Sequence, residues 1–192
     1  MIKWTALIQK ANNAAEMVSL LSRLLRISLG RGEETVTVEE EIEHVQCYLG
    51  IQKFRFNFNI ETVIELDEEV RRLHTPKLIL QPIVENAIIH AFGEMESGGI
   101  IRITCSKVPG NQVEFEVTDN GKGMDPALVR SLLDGQAREE EKPGGIGLAN
   151  VDERVKLICG KMYGIEIHSE PGTGTAIRVK LPLMTDDIRG NR

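Results

Sequence analysis

Between residues 4 and 28, apolar side chains recur three and four apart: Leu7, Ile8, Ala11, Ala14, Ala15, Val18, Leu21, Leu24 and Leu25. That period predicts an amphipathic helix. Asn12 and Asn13 interrupt the stripe without ending it, and Gly30 and Gly32 stop it. The stripe is too rich for one partner helix to cover. A second helix follows. Thr37 can cap it, with Glu40 three residues on completing a capping box, and its apolar positions are Val38, Ile42, Val45, Tyr48, Leu49 and Ile51. Two amphipathic helices joined by a short glycine loop predict a helical hairpin.

Further on, the period changes. Residues 60–65 alternate as a strand, and Pro76 opens a long apolar helix that runs through Phe92 to Gly93. Residues 99–107 and 112–118 predict two strands around Pro109-Gly110-Asn111. A short helix is expected over 126–133 and another over 148–159, closed by Gly160. Residues 163–169 and 174–182 predict a closing hairpin around Glu170-Pro171-Gly172, whereas the charged, glycine-rich stretch 134–146 has no period and predicts a loop. The last ten residues predict a frayed tail. This order predicts an α+β fold, a two-layer α/β sandwich with its helices on one face, preceded by the N-terminal helical hairpin.

Composition narrows the classes. With 192 residues, 41% hydrophobic and 27% charged, the chain can bury roughly 70% of its unfolded surface and needs no disulfide or metal to fold. A net charge of −6 argues against nonspecific binding to nucleic acid or an anionic membrane. Charge also shifts along the chain: residues 1–32 hold five Lys/Arg against one Glu, and residues 33–50 hold six Glu and no Lys/Arg. No apolar run approaches the roughly 20 residues of a membrane span, and the N-terminus lacks a signal-peptide core. No membrane contact is therefore expected from this chain. Cys47, Cys105 and Cys159 are odd in number and far apart, which predicts reduced structural thiols in a cytoplasmic protein. At 4% aromatic residues with one Trp, a base-stacking platform is not expected.

Three segments carry candidate chemistry. In Gln81-Pro82-Ile83-Val84-Glu85-Asn86-Ala87-Ile88-Ile89-His90, the apolar positions share one helical face, while Asn86 and His90, four apart, share another. An amide oxygen is a hard ligand suited to Mg²⁺, and an imidazole can meet phosphate; an isolated helical Asn is more often a local hydrogen-bond partner. In Val117-Thr118-Asp119-Asn120-Gly121-Lys122-Gly123-Met124, a strand delivers an acid into a Gly-x-Gly turn. Such glycines permit close backbone approach to a ligand, although Asp-Asn-Gly is also ordinary hairpin chemistry. In Gly144-Gly145-Ile146-Gly147-Leu148-Ala149-Asn150-Val151, a glycine loop runs into a helix whose free N–H groups can bind an anion; alone, it reads equally as a glycine cap.

In this order the three segments resemble the N, G1 and G2 boxes of the ATPase superfamily that contains gyrase, the heat-shock-ninety chaperones, mismatch-repair proteins and histidine kinases. Glu170-Pro171-Gly172-Thr173-Gly174-Thr175 resembles the Gly-x-Gly-Thr segment near the end of that domain. Upstream, Leu21-Ser22-Arg23-Leu24-Leu25-Arg26, the stretch from Val36 to Val45, and Tyr48-Leu49-Gly50-Ile51-Gln52-Lys53-Phe54-Arg55-Phe56 resemble the LytS/YesM class of bacterial sensor histidine kinases, as does Leu78-Ile79-Leu80-Gln81-Pro82-Ile83-Val84-Glu85-Asn86-Ala87.

The resemblance implies residues 1–58 as partial dimerisation helices, 59–184 as an ATP-binding catalytic domain and 185–192 as a tail. It implies Asn86 as a Mg²⁺ ligand and Asp119 as the partner of the adenine amine. Gly121 and Gly123 would shape that pocket, and Gly145 and Gly147 would lie against the phosphates. Thr175 would join Asp119 in a water-linked contact at the base, and Glu85 and His90 would act on the phosphate or metal side. Residues 125–144 would form a lid over ATP, with the Arg138–Lys142 charge run on its outside. Two departures bear on function. Superfamily members that hydrolyse ATP carry a Glu four residues before the N-box Asn; here Pro82 stands there, which suits holding ATP for a protein acceptor. None of His44, His74, His90 and His168 has the context of the class's phosphoacceptor motif, which would precede Ile2. The resemblance therefore implies the ATP-presenting part of a sensor kinase, a homodimer through its N-terminal helices, a response-regulator receiver domain as partner, and a membrane-anchored parent. A serine kinase of the anti-sigma type and a non-enzymatic, ATP-switched interaction module share the nucleotide fold and are the alternatives.

Overall fold

The computed structural model describes residues 12–30, 33–56, 60–92, 98–133 and 145–185. The predicted apolar positions Leu7, Ile8 and Ala11, the stop at Gly32, the helix end at Gly93, the loop over 134–144 and the tail from 186 lie outside them.

Helix α1 (Asn12–Leu29) packs along α2 (Val38–Phe56). The approach is close at Gly50, where an added Cβ would come within 2.8 Å of Leu20. Arg23 of α1 pairs with Glu43 of α2. Ala15 and Leu24 turn inward, while Met17, Leu21 (47% exposed) and Leu25 (45% exposed) stay uncovered, as the width of the stripe predicts. The capping box forms: the Thr37 N–H donates to Glu40 Oε2 at 2.8 Å, and the Glu40 N–H donates to Thr37 Oγ1 at 3.2 Å.

Strand β1 (Thr35–Thr37) pairs antiparallel with β3 (His74–Pro76). The remaining strands, β2 (Ile60–Leu66), β4 (Gly99–Val108), β5 (Gln112–Asp119), β6 (Gly164–Glu170) and β7 (Gly174–Pro182), form one sheet in the order β2-β4-β5-β7-β6. β2 and β4 run parallel and the other pairs antiparallel. Alternation sends Ile101, Ile103, Val113, Phe115, Val117, Ile177, Val179 and Leu181 to the buried face. Helices α3 (Leu80–Asn86), α4 (Pro126–Leu133) and α5 (Gly145–Cys159) cover that face. The opposite face carries charge pairs such as Arg178–Glu116 and Lys180–Glu166. Val38, Ile42, Val45 and Leu49 join the same core, so α2 is built into the sandwich as well as packed on α1.

Several boundaries differ from expectation. α5 begins at Gly145, not 148, so residues 145 and 146 of the expected loop are helical; the glycines that suggest a loop also tolerate helical backbone. The long helix begins at Leu80, because Pro76 ends the short strand β3 and Leu78, at φ 58°, turns the chain first. Its last residues, Ala87–Ala91, widen into a π-turn. Leu183 and Met184 are not frayed: the Leu183 N–H donates to the Asn111 carbonyl at 3.0 Å, and the His74 N–H donates to the Met184 carbonyl at 2.8 Å. Cys47 and Cys105 are buried thiols whose pKa burial raises, and burial pushes Cys159 up to about 11; none forms a disulfide.

Candidate functional site

The sheet's apolar face ends in a polar row. Asp119, the last residue of β5, pairs with Thr175 of β7, which pairs with Ser169 of β6. One step inward the row is Val117, Ile177 and Ile167, all buried. Asp119 is thus an acid at the rim of a hydrophobic layer. Burial raises its carboxyl above the ordinary aspartate range, while the Gly121 and Thr175 N–H groups pull the other way. The Gly121 N–H donates to Asp119 Oδ1 at 2.9 Å.

The glycines after Asp119 are demanded by their neighbours. A Cβ on Gly121 would lie 2.3 Å from the Ala91 Cβ, so this turn presses on the end of the π-turn. Gly123 has φ +67°, and its Cβ would meet the Glu170 carbonyl oxygen at 2.0 Å. The Gly172 N–H donates to the Lys122 carbonyl at 2.7 Å, and the Met124 N–H donates to Ser169 Oγ at 2.8 Å. The turn after β5 and the β6–β7 turn therefore hold each other.

Between them and α3 lies a cavity of about 220 Å³, walled by Asn86, His90, Asp119, Lys122, Gly123, Met124 and Thr175. Five of the residues singled out from the sequence thus meet in one place. Asn86 and His90, four residues apart, both reach the cavity wall. Burial, aided by the Lys122 charge, lowers the His90 pKa, so the imidazole is neutral beside a cation. A more open cleft of about 610 Å³ continues past Asp119 and Thr175 between α4 and β6, reaching Arg130 and His168.

The other candidates sit around this cavity. Glu85 is half-buried and does not wall it; Gly121 lies behind the wall. Gly145 opens α5, and a Cβ on Gly147 would come within 3.4 Å of the Pro82 Cβ, so the glycine-led helix start abuts α3 one turn before Asn86. Lys122, on the cavity wall, and Ser169, in the adjoining cleft, are site positions that sequence reasoning missed. Lys122 lay in view inside the Gly-x-Gly turn; Ser169 becomes visible only through its cross-strand pairing. Among the described residues, no cluster of three or more His, Cys, Asp or Glu could hold a metal alone.

An acid on a strand end, two glycine turns and an Asn-bearing helix around one cavity agree with the sequence comparisons. Residues 73–185 match the family described as histidine kinase-, DNA gyrase B-, and HSP90-like ATPase. The chain belongs to that family. Residues 1–60 also match a family described as histidine kinase. Sensor histidine kinase YesM of Bacillus subtilis (strain 168) is 38% identical over 187 residues, 97% of this chain and 31% of YesM. Sensor histidine kinase YpdA of Escherichia coli (strain K12) is 33% identical over 171 residues, 88% of this chain and 29% of YpdA. The chain thus spans about a third of the length of these curated relatives. The histidine kinase domain of the Erythrobacter litoralis EL346 blue-light activated histidine kinase superposes with a TM-score of 0.58 at 18% identity, over 91% of this chain and 81% of that one. That likeness shows the ATPase sandwich with helices before it. No helix among the described residues is long and apolar enough to cross a membrane.

Proposed function

We propose that this chain is the ATP-binding catalytic portion of a two-component sensor histidine kinase. It presents Mg-ATP for phosphoryl transfer to a histidine outside the chain, and the phosphoryl group passes from there to a response-regulator aspartate. The observation that carries this reading is the shared cavity, with Asp119 and Thr175 on its sheet side and Asn86, His90 and Lys122 toward α3 and the first glycine turn. Desolvated Asp119 accepts the adenine amine, and Thr175 reaches the base through water. Lys122 and neutral His90 face the phosphates with the N–H groups at the start of α5. Asn86 offers one hard oxygen, which fits Mg²⁺, since that ion takes few protein ligands and completes its shell from phosphate and water. Bound Mg²⁺ would neutralise charge developing on the transferred group. Pro82 supplies no base to activate water, so the site holds ATP for a protein acceptor.

The histidines of the chain support an external acceptor. His44 and His74 are buried, His90 walls the nucleotide cavity and His168 lies on the outer face of the sheet. The uncovered Met17, Leu21 and Leu25 support pairing of α1 with a second copy. Calorimetry tests the nucleotide assignment. Asp119→Asn replaces an acceptor oxygen by a donor, and losing a hydrogen bond to a charged group should weaken ATP by roughly tenfold to a hundredfold; unchanged affinity would sink the adenine assignment. With labelled ATP, the chain alone should yield no acid-labile phosphohistidine, and label should appear on a histidine-bearing helix added before Ile2. Labelling of His44, His74, His90 or His168 instead would refute the external acceptor.

A further inference from the structure

The helix that carries Asn86 has no local cap. Its N-cap residue, Ile79, makes no side-chain capping bond. The cap comes from α2, 38 residues away. Glu41 is fully buried; its Oε1 accepts the N–H groups of Ile79 at 2.8 Å and Leu80 at 2.9 Å, and its Oε2 accepts that of Leu78 at 3.0 Å. The same carboxylate therefore holds Leu78 in its left-handed conformation, φ 58°. A buried carboxylate is tolerated where its lone pairs are filled and positive potential surrounds it. Here burial raises the Glu41 pKa, while three N–H groups at a helix start and Arg154, whose Nη1 donates to the Lys77 carbonyl at 2.8 Å, oppose that rise. α2 is fastened to the same strip again, by Val38 N–H to the Leu73 carbonyl at 2.8 Å and by the β1–β3 pairing.

We infer that Glu41 is a positioning residue of the nucleotide site: it fixes the start of α3 and thereby sets where Asn86 meets the metal side of the nucleotide. This rests on the reading of Asn86 as the magnesium ligand. Asn86 lies six residues beyond Leu80, about 9 Å along the helix. Over so short a rigid span, a shift at the start is passed to Asn86 undiminished. Asp119, Thr175 and Ser169 are held by the β5–β7–β6 register and receive it only indirectly, where the Lys122 N–H donates to the Ala91 carbonyl at 3.2 Å. Glu41 therefore acts chiefly on the metal side and much less on the base side. A residue that merely stabilises the fold would not separate the two.

Calorimetry of ATP with Mg²⁺, and of the same nucleotide in chelator, reads the metal contribution separately. Glu41→Gln keeps the size but sets an amide N–H₂ against a backbone N–H. It should cut the affinity gained from Mg²⁺ by about tenfold, with metal-free ATP affinity held within about twofold. Arg154→Met is the milder second variant. It removes the bond to the Lys77 carbonyl and the charge beside Glu41, and it should lower the magnesium gain about twofold to threefold. A folded Glu41→Gln with an undiminished magnesium gain, or with equal losses in both arms, overturns the inference. If Glu41→Gln does not fold, an unchanged magnesium gain in Arg154→Met overturns it. Asn86→Ala in the otherwise native chain separates the two failures. If the magnesium gain survives that change, the Asn86 reading fails and the inference falls with it. If Asn86→Ala abolishes the gain and the variants at 41 and 154 do not, the inference fails alone.

Discussion

Ser169 Oγ lies 3.0 Å from Thr175 Oγ1, and the same oxygen accepts the Met124 N–H at 2.8 Å and sits 3.0 Å from the Gly174 carbonyl. One hydroxyl thus joins both glycine turns to the residue beside Asp119. Ser169→Ala removes all three contacts, leaving the Met124 N–H without this acceptor and the Thr175 hydroxyl free to rotate. It should cost about 1–2 kcal/mol of stability and weaken ATP several-fold. Thermal melts and calorimetry measure both. Unchanged nucleotide affinity would make Ser169 a purely structural tie.

Gly123 and Gly174 are packed too tightly for a side chain, and Gly172 is not. A Cβ on Gly174, at φ +99°, would stand 2.0 Å from the Asp119 carbonyl oxygen, and one on Gly123 equally close to that of Glu170. Both obstacles are backbone and cannot swing away. Gly172 also has a positive φ, +84°, but nothing lies within 4 Å of its Cβ position. Gly172→Ala should therefore lose about 1–2 kcal/mol for the left-handed conformation alone. Gly123→Ala and Gly174→Ala should lose more than that and forfeit ATP binding by over about tenfold, because the turns they displace carry Asp119 and Thr175. Equal melting points for the three variants would contradict this account.

The sequence is most legible where the deciding contacts are local. Thr37 and Glu40 cap one helix across three residues, Pro109-Gly110-Asn111 turns one hairpin, and alternation in β4, β5 and β7 assigns the buried face. Sequence reasoning failed where a partner lies far along the chain. Pro76 reads as a helix opener because its strand partner, Thr35, is remote. Glu41 stands beside Glu39 and Glu40 and looks like a third solvated acid. Its burial depends on Leu78, Ile79 and Leu80, which no local pattern connects to it. α2 reads as half of a separate hairpin because its second apolar contact, with the sandwich core, shares the stripe of the first. In the site, Asp119, Asn86 and Thr175 were legible as motif positions, whereas the work of Ser169 follows only from strand register.

Asp119 should make nucleotide affinity and ligand-free stability move in opposite directions with pH. Burial raises its folded pKa. The ionised form therefore costs stability at high pH, a cost relieved as pH falls through that raised pKa. The adenine amine needs the ionised acceptor, so ATP affinity should fall over the same window, above the range of an ordinary aspartate. Comparing wild type with Asp119→Asn removes the titration of the nucleotide itself. If the two chains show the same pH dependence of affinity, Asp119 does not carry the base contact.

His44 should make the α1–α2 contact acid-sensitive. Ser28 Oγ donates to the Leu24 carbonyl at 2.8 Å, so its 2.8 Å contact with His44 Nε2 requires the imidazole to donate from that nitrogen. His44 Nδ1 is then the acceptor, and it is buried with no hydrogen-bond partner among the described residues. Protonation would create a buried donor and a charge that nothing meets. Burial accordingly lowers the His44 pKa. The unfolded chain therefore takes up the proton first, and stability is lost as pH falls from the ordinary histidine range toward the lowered folded value. Cys47 lies nearby with its thiol protonated throughout, and the Arg23–Glu43 pair crosses the same interface. Hydrogen exchange of α1 should speed up between about pH 7.5 and pH 5.5, while the sheet amides of β5 and β7 stay protected. His44→Gln keeps a hydrogen-bonding side chain and removes the titration, so its α1 should exchange at a rate independent of pH after correction for intrinsic chemistry. The same acid acceleration in that variant would assign the sensitivity to another group.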